Sequence, residues 1–375
     1  MTDETRLSEE LSRRAHEVHG PTLTFDDVRG RARRIRRRRA AAVASGVAAA
    51  VALVVLVPTV LSGGSGPKSD GVDPAPTPPG HTAVLHDGTL TLPDGQTVAL
   101  DVDNADVTEL GLLTDGRVVL ASTQPYGVLV FGPDGNLQAT YSVGLNTITM
   151  SPGDDAAAWV DADGGVQVLE SGAPEPTELG TVEVDPSTGA WIDAVVDAGT
   201  VLVGNGTTTT AEVTADGVSE LTTSEPLRVS DVSPDGTLWA VQVADDADPQ
   251  FGCQGLYDPV AATVVARTCE TGPLRFSPDG QHLLGMRGDN NMYGDASVLD
   301  LDLQRVGGWE SSGEGDVISG AGWADAEHLL VSETNWKTST WTLVEVDLTW
   351  EDREVLDGPA EGRNPEMLGE YLLSE

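Results

Sequence analysis

The sequence predicts an all-β domain closed into a ring, a β-propeller of seven four-stranded blades, preceded by a cytoplasmic amphipathic helix and one transmembrane helix. Six blades is the alternative count. Three observations carry this expectation. The chain has one long uncharged apolar run, residues 40–61, directly behind four consecutive arginines. From residue 82 onward it repeats at intervals of 40 to 45 residues, the length of a four-stranded blade. Each repeat turns on Ser-Pro-Asp-Gly or a close variant, placed between two apolar strands.

The anchor follows from charge. The chain carries 60 acidic residues against 21 Lys and Arg, a formal net charge of -39, which argues against a nucleic-acid partner. The charge is unevenly spread: residues 1–39 hold 11 Arg and 7 acids, whereas 40–375 hold 10 bases and 53 acids. Between Ala40 and Leu61 only Ser45 and Thr59 are polar, and a helix of that length, rising about 1.5 Å per residue, spans the roughly 30 Å hydrocarbon layer. Arg36, Arg37, Arg38 and Arg39 abut its start, and positive charge stays in the cytoplasm, so the N-terminus is expected inside. A cleaved leader fits less well, because its positive region would be 39 residues long and no A-x-A site follows the run. The expected organisation is a cytoplasmic tail at 1–39, a transmembrane helix at 40–61, a Gly/Ser/Pro linker at 62–80 and an extracytoplasmic propeller at 81–375, on the plasma membrane. Within the tail, Leu7, Leu11, Ala15 and Val18 recur at helical spacing before Gly20 and Pro21. That helix either lies at the membrane interface or docks a cytoplasmic protein at residues 7–20.

The ring follows from the repeat. The copies read LGLLTDGRVVLAS (110–122), ITMSPGDDAAAWV (148–160), AVVDAGTVLVGN (194–205), VSDVSPDGTLWAV (229–241), LRFSPDGQHLLGM (274–286) and AGWADAEHLLVSE (321–333). Second hairpins such as GVLVFGPDGNLQATYS (127–142) and TLVEVDLTWEDREVL (342–356) follow them. Proline presets φ at the first corner, Asp accepts backbone N–H groups, and Gly takes the backbone conformation that a Cβ forbids. GTLTLPDGQTVALD (88–101) reads as a second hairpin without a first, and MLGEYLLSE (367–375) as a truncated first hairpin without a second. The two are expected to complete one blade together, with 88–101 pairing against 371–374, which removes the free sheet edges of an open array.

The Ser-Pro-Asp-Gly repeat resembles that of WD-repeat-like propellers of the TolB-like group, without the Gly-His and Trp-Asp dipeptides of true WD repeats. The resemblance implies binding or scaffolding more often than chemistry. The layout of tail, Arg-rich junction, single span and exported domain is similar to that of membrane-bound anti-sigma regulators of actinobacteria. Nineteen Arg against two Lys is also the usage of a GC-rich genome such as an actinobacterium's.

Candidate sites are few. Cys253 and Cys269 fall opposite each other across a hairpin turning near residues 259–263, in an oxidising compartment, and are expected to form a disulfide. Asp289, Asn290, Asn291 and Asp295 are the acidic and amide cluster to examine for calcium, although in so acidic a body such clusters arise as solvated surface. No other cofactor is expected. Trp159, Trp239 and Trp323 follow the repeat turns and read as packing between blades, whereas Trp336 and Trp341 sit in a polar stretch and are expected at the surface as partner contacts. SPDGTLW (233–239) is one residue short of a sialidase Asp box, and no G-x-S-x-G elbow is present. The leading reading is therefore a non-enzymatic, membrane-anchored propeller that binds an extracytoplasmic protein, peptide or wall glycan. The alternatives are a transmembrane signalling regulator with the propeller as sensor, and a metal-dependent propeller enzyme such as a lactonase.

Overall fold

A computed structural model describes residues 82–374 of the protein, except 185–188, 207, 224, 244–251, 290–291, 311–314, 336 and 362–370. The tail helix expected at 7–20, Arg36 to Arg39, the span at 40–61 and the linker at 62–80 lie outside the described residues. Among the described residues, no helix is long and apolar enough to cross a membrane.

The described strands form seven antiparallel blades of four. Blade 1 comprises Val107–Leu112, Val118–Thr123, Tyr126–Phe131 and Leu137–Tyr141. Its two middle strands are almost continuously apolar because both of their faces are covered by neighbouring blades, while its fourth strand is largely exposed. The first strands of blades 2 to 6 are Thr149–Met150, Trp191–Asp197, Leu227–Val232, Leu274–Phe276 and Asp316–Trp323. Core clusters lie between blades rather than within them: Val119, Val130, Ala157, Trp159 and Leu169, for example, join blades 1 and 2. Trp159, Trp239 and Trp323 are buried, as the repeat led us to expect.

Both termini build the seventh blade, but not as two hairpins. The C-terminus contributes one strand, Leu372–Leu373, and the N-terminus contributes three, Val84–His86, Thr89–Thr91 and Thr97–Ala99. Leu372 and Leu373 pair with Leu85 and Val84, not with residues 88–101. The sequence could not separate these cases, because first and second strands are equally short and apolar, and TAVLH was not read as a strand. The seam is reinforced by side chains. The Ser374 N–H donates to Ala83 O at 2.9 Å, Ser374 Oγ accepts from the Ala83 N–H at 2.7 Å, and Thr82 Oγ1 donates to Trp323 O at 2.7 Å.

The first strands also carry a shared irregularity. In blades 1, 3, 4 and 6 the pairing shifts around Thr108, Asp193, Ser230 and Ser319, a β-bulge at the equivalent place in each. Three of these residues reach toward the next blade, Asp193 through Arg228 and the other two through backbone carbonyls. Thr108 Oγ1 donates to Asn146 O at 3.1 Å, and Ser230 Oγ donates to Leu274 O at 3.0 Å. The acids that follow them do the same in reverse. Glu109 accepts the Ile148 N–H, and Asp231 accepts the Phe276 N–H at 2.6 Å. The ring is thus sewn blade to blade at its inner strands by polar bonds.

Blades 5 and 6 are longer than the rest. Their second and third strands are His282–Asp289, Met292–Asp300, His328–Asn335 and Thr340–Asp347, against five or six residues in blade 1 and blade 2. A single extra pairing, Tyr293 with Ile318, joins the two blades where they extend.

Candidate functional site

The blade topology divides the propeller into two faces. One, the turn face, holds the first-to-second and third-to-fourth strand turns; the other, the loop face, holds the second-to-third turns and the connections between blades.

On the turn face the repeated turn satisfies itself. The Gly236 N–H donates to Ser233 O at 2.7 Å and the Gly280 N–H to Ser277 O at 2.8 Å, with both glycines at φ +68°. Ser277 Oγ accepts the His282 N–H at 2.9 Å and donates to Asp279 Oδ1 at 2.7 Å, and Ser233 Oγ plays the same part for Leu238 and Asp235. Three turn carboxylates, Asp115, Asp134 and Asp347, have their pKa lowered. The pKa of Asp134 is lowered by the backbone N–H and side-chain amide of Asn136. For Asp115 and Asp347 desolvation works the other way, but hydrogen bonds from Gly172 and Arg117, and from Thr349 and Asp352, outweigh it and the pKa falls. The acids of this face are already engaged, by groups of their own turn and, at Asp115, also by the Gly172 N–H of the next blade.

Toward the loop face polar groups join one blade to the next. Asp193, whose carboxylate is fully buried, accepts from Thr209 Oγ1 at 2.7 Å and from Arg228 Nε at 3.0 Å, across blades 3 and 4. Thr209 Oγ1 in turn accepts the Val229 N–H at 2.8 Å. Desolvation dominates at this site and raises the Asp193 pKa, with Thr209 and Arg228 opposing it. Gly204 is required beneath it, since a Cβ there would lie 2.1 Å from Asp193 Oδ2 and 2.4 Å from Thr208 O.

Two cavities flank blade 6. One, of about 420 Å³, opens where blades 5 and 6 extend. Trp309 lies at its blade 5 side, and Asp316, Glu333, Asn335, Thr340 and Arg353 of blade 6 line the rest with Thr334, Thr338 and Thr342. Asn335 and Arg353 are held by Asp316 and Glu333, at 2.7 and 2.6 Å. The other, of about 550 Å³, is a groove between blade 6 and the seventh blade. It exists because strands of two or three residues cannot cover strands of eight or nine. Leu330, Leu343 and Leu356 line it beside Tyr371, with His86 Nδ1 3.6 Å from Asp357 Oδ2 and the His86 and Tyr371 rings 4.5 Å apart.

The residues singled out from the sequence fare unevenly. Cys253 and Cys269 are joined in a disulfide that ties the loop-face ends of the third and fourth strands of blade 4, Cys253–Asp258 and Thr263–Thr268. Trp341, expected at the surface, is 1 % exposed. It occupies the buried side of its strand, packed with Val84, Leu330, Leu343 and Tyr371, because alternate residues of that strand face the seventh blade. Trp336 lies outside the described residues. So do Asn290, Asn291 and the side chain of Asp289, while Asp295 faces a cation, Arg305 Nη2 at 3.5 Å. Among the described residues, no group of three or more His, Cys, Asp or Glu side chains is placed to hold a metal ion. His282 and His328 each begin a second strand, and the Asp325 carboxylate lies 3.1 Å from His328 Nδ1. Asp193, Trp309 and Asp316 were not legible as site residues.

These features define a seven-bladed β-propeller. The chain matches no known protein family and no curated protein sequence. A chain from the crystal structure of the mitotic checkpoint complex is similar to it over 84 % of this chain and 94 % of its own length, with 11 % sequence identity and a TM-score of 0.45.

Proposed function

We propose that the protein is a non-enzymatic propeller, anchored in the plasma membrane by residues 40–61, that presents its loop face outside the cytoplasm to a protein, peptide or wall-glycan partner. The observation that carries this reading is the asymmetry of the two faces: hydrogen bonds within and between the turns engage the carboxylates of one, while on the other a polar cavity opens between the long blades 5 and 6. The inner-strand acids Glu109 and Asp231 support it too, because each accepts a backbone N–H of the next blade and so serves the ring. Orientation rests on the Arg36 to Arg39 cluster. Protease added to intact cells that make the full chain with an N-terminal tag should digest the propeller and leave the tag protected. A tag removed from outside, or a propeller shielded until the cells are lysed, would contradict the proposed topology.

A further inference from the structure

From the cavity between blades 5 and 6, and resting on the reading of the loop face as a binding surface, we infer that the protein carries a saccharide site that takes a neutral mono- or disaccharide unit. The chemistry of the lining selects this class. Its one apolar member is the half-buried ring of Trp309; everything else is hydroxyl, amide, carboxylate or guanidinium. A lipid or other apolar ligand would strand those groups without hydrogen bonds, at a cost of roughly 1–3 kcal/mol each. An anion meets two carboxylates, Asp316 and Glu333, against one guanidinium. A metal ion would have to displace Asn335 from Asp316 and Arg353 from Glu333.

A sugar ring satisfies the same lining. Its hydroxyl groups donate to carboxylates and accept from amide and guanidinium N–H groups, and its face of C–H bonds lies on an aromatic ring. The cavity volume of about 420 Å³ falls within the range of small-molecule sites. The polar groups are already oriented. Asn335 Oδ1 accepts the N–H groups of Lys337 and Thr338, both at 3.0 Å, and the Thr338 and Thr340 hydroxyls are bonded at 2.8 Å. Little ordering remains to oppose binding.

The test titrates the full-length chain with N,N′-diacetylchitobiose, cellobiose, maltose and lactose, read by calorimetry and tryptophan fluorescence. Saturable binding of at least one, with a Kd of about 1 mM or tighter, is expected. Thr342→Leu fills the cavity without touching a hydrogen bond described above, and Trp309→Phe shrinks its aromatic wall; each should weaken binding about tenfold with an unchanged melting temperature. His86→Ala, in the other groove, should leave binding unchanged. Absence of saturable binding up to about 20 mM, or binding that both cavity variants leave intact, overturns the inference. If loop-face crosslinks to a partner persist while no saccharide binds, the inference alone falls and the reading of the face stands.

Discussion

The turn face and the loop face of this propeller are built from the same strands by opposite means. At the turn face many reversals use one device, a Ser or Asp side chain closing hydrogen bonds within about five residues, joined by a positive-φ glycine at Ser233 to Leu238 and Ser277 to His282. At the loop face the contacts differ from blade to blade: Asp193 with Arg228 across blades 3 and 4, Cys253 with Cys269 within blade 4, Trp309 packed beside blade 6. Repetition makes one face redundant. Its absence makes the other sensitive to single changes and free to specialise.

That contrast can be broken or sharpened by mutation. The largest effect is expected at the seam on which both faces depend. Deleting residues 371–375 removes the inner strand of the seventh blade, the buried Tyr371 and the half-buried Leu372 and Leu373, and should cost about 5 kcal/mol or abolish the cooperative thermal transition. An unchanged melting curve would mean the ring does not depend on this closure.

Next is Asp193→Ala, which leaves the Thr209 hydroxyl and Arg228 without their acceptor and should cost about 3 kcal/mol by chemical denaturation. Asp193 also predicts the sign of one pH effect. Its native pKa is raised above the unfolded value near 4, so the folded state holds the proton more tightly, and this group's contribution to stability falls as pH rises through that interval. Asp115, Asp134 and Asp347 on the turn face act with the opposite sign: their lowered values contribute stability above the unfolded pKa that is lost on acidification. Asp193→Asn should therefore flatten the decline above pH 4 and spare the acid limb. A pH profile identical to that of the unmodified protein would show that burial of Asp193 is not sensed.

Reduction of the Cys253–Cys269 bond, which spans 16 residues, should cost about 3 kcal/mol, seen as a lower melting temperature with reductant that the double Cys→Ser variant no longer shows. The smallest effect is expected on the turn face. Ser277→Ala removes one acceptor for the His282 N–H in one turn of many and should cost about 1 kcal/mol. A cost equal to that of Asp193→Ala would erase the distinction between the faces.

The same distinction explains what was legible in the sequence. The turns are a local code, so the repeated turn placed the hairpins of blades 1 to 6, and a hairpin turning near residues 259–263 placed the Cys253–Cys269 pairing. The loop face depends on registers between separate blades, which no local pattern states. Asp193 stood in the apolar stretch WIDAVVD and was passed over, although a carboxylate there implied a partner elsewhere on the ring. Trp341 was misplaced because a polar neighbourhood, NWKTST, says nothing of which side of a strand a ring occupies. The signal for the cavity was present as Glu333 and Asn335, alternate polar residues ending an apolar strand, together with the added length of the blade 5 and blade 6 hairpins.

The central claim is that partners are engaged at the loop face. It is tested most directly by placing a photo-crosslinking residue at Thr338, on that face, or at Gln281, on the turn face, in the full-length protein in its native cells. The account predicts discrete adducts from position 338 and none from 281; adducts from 281 alone, or equally from both, would contradict it.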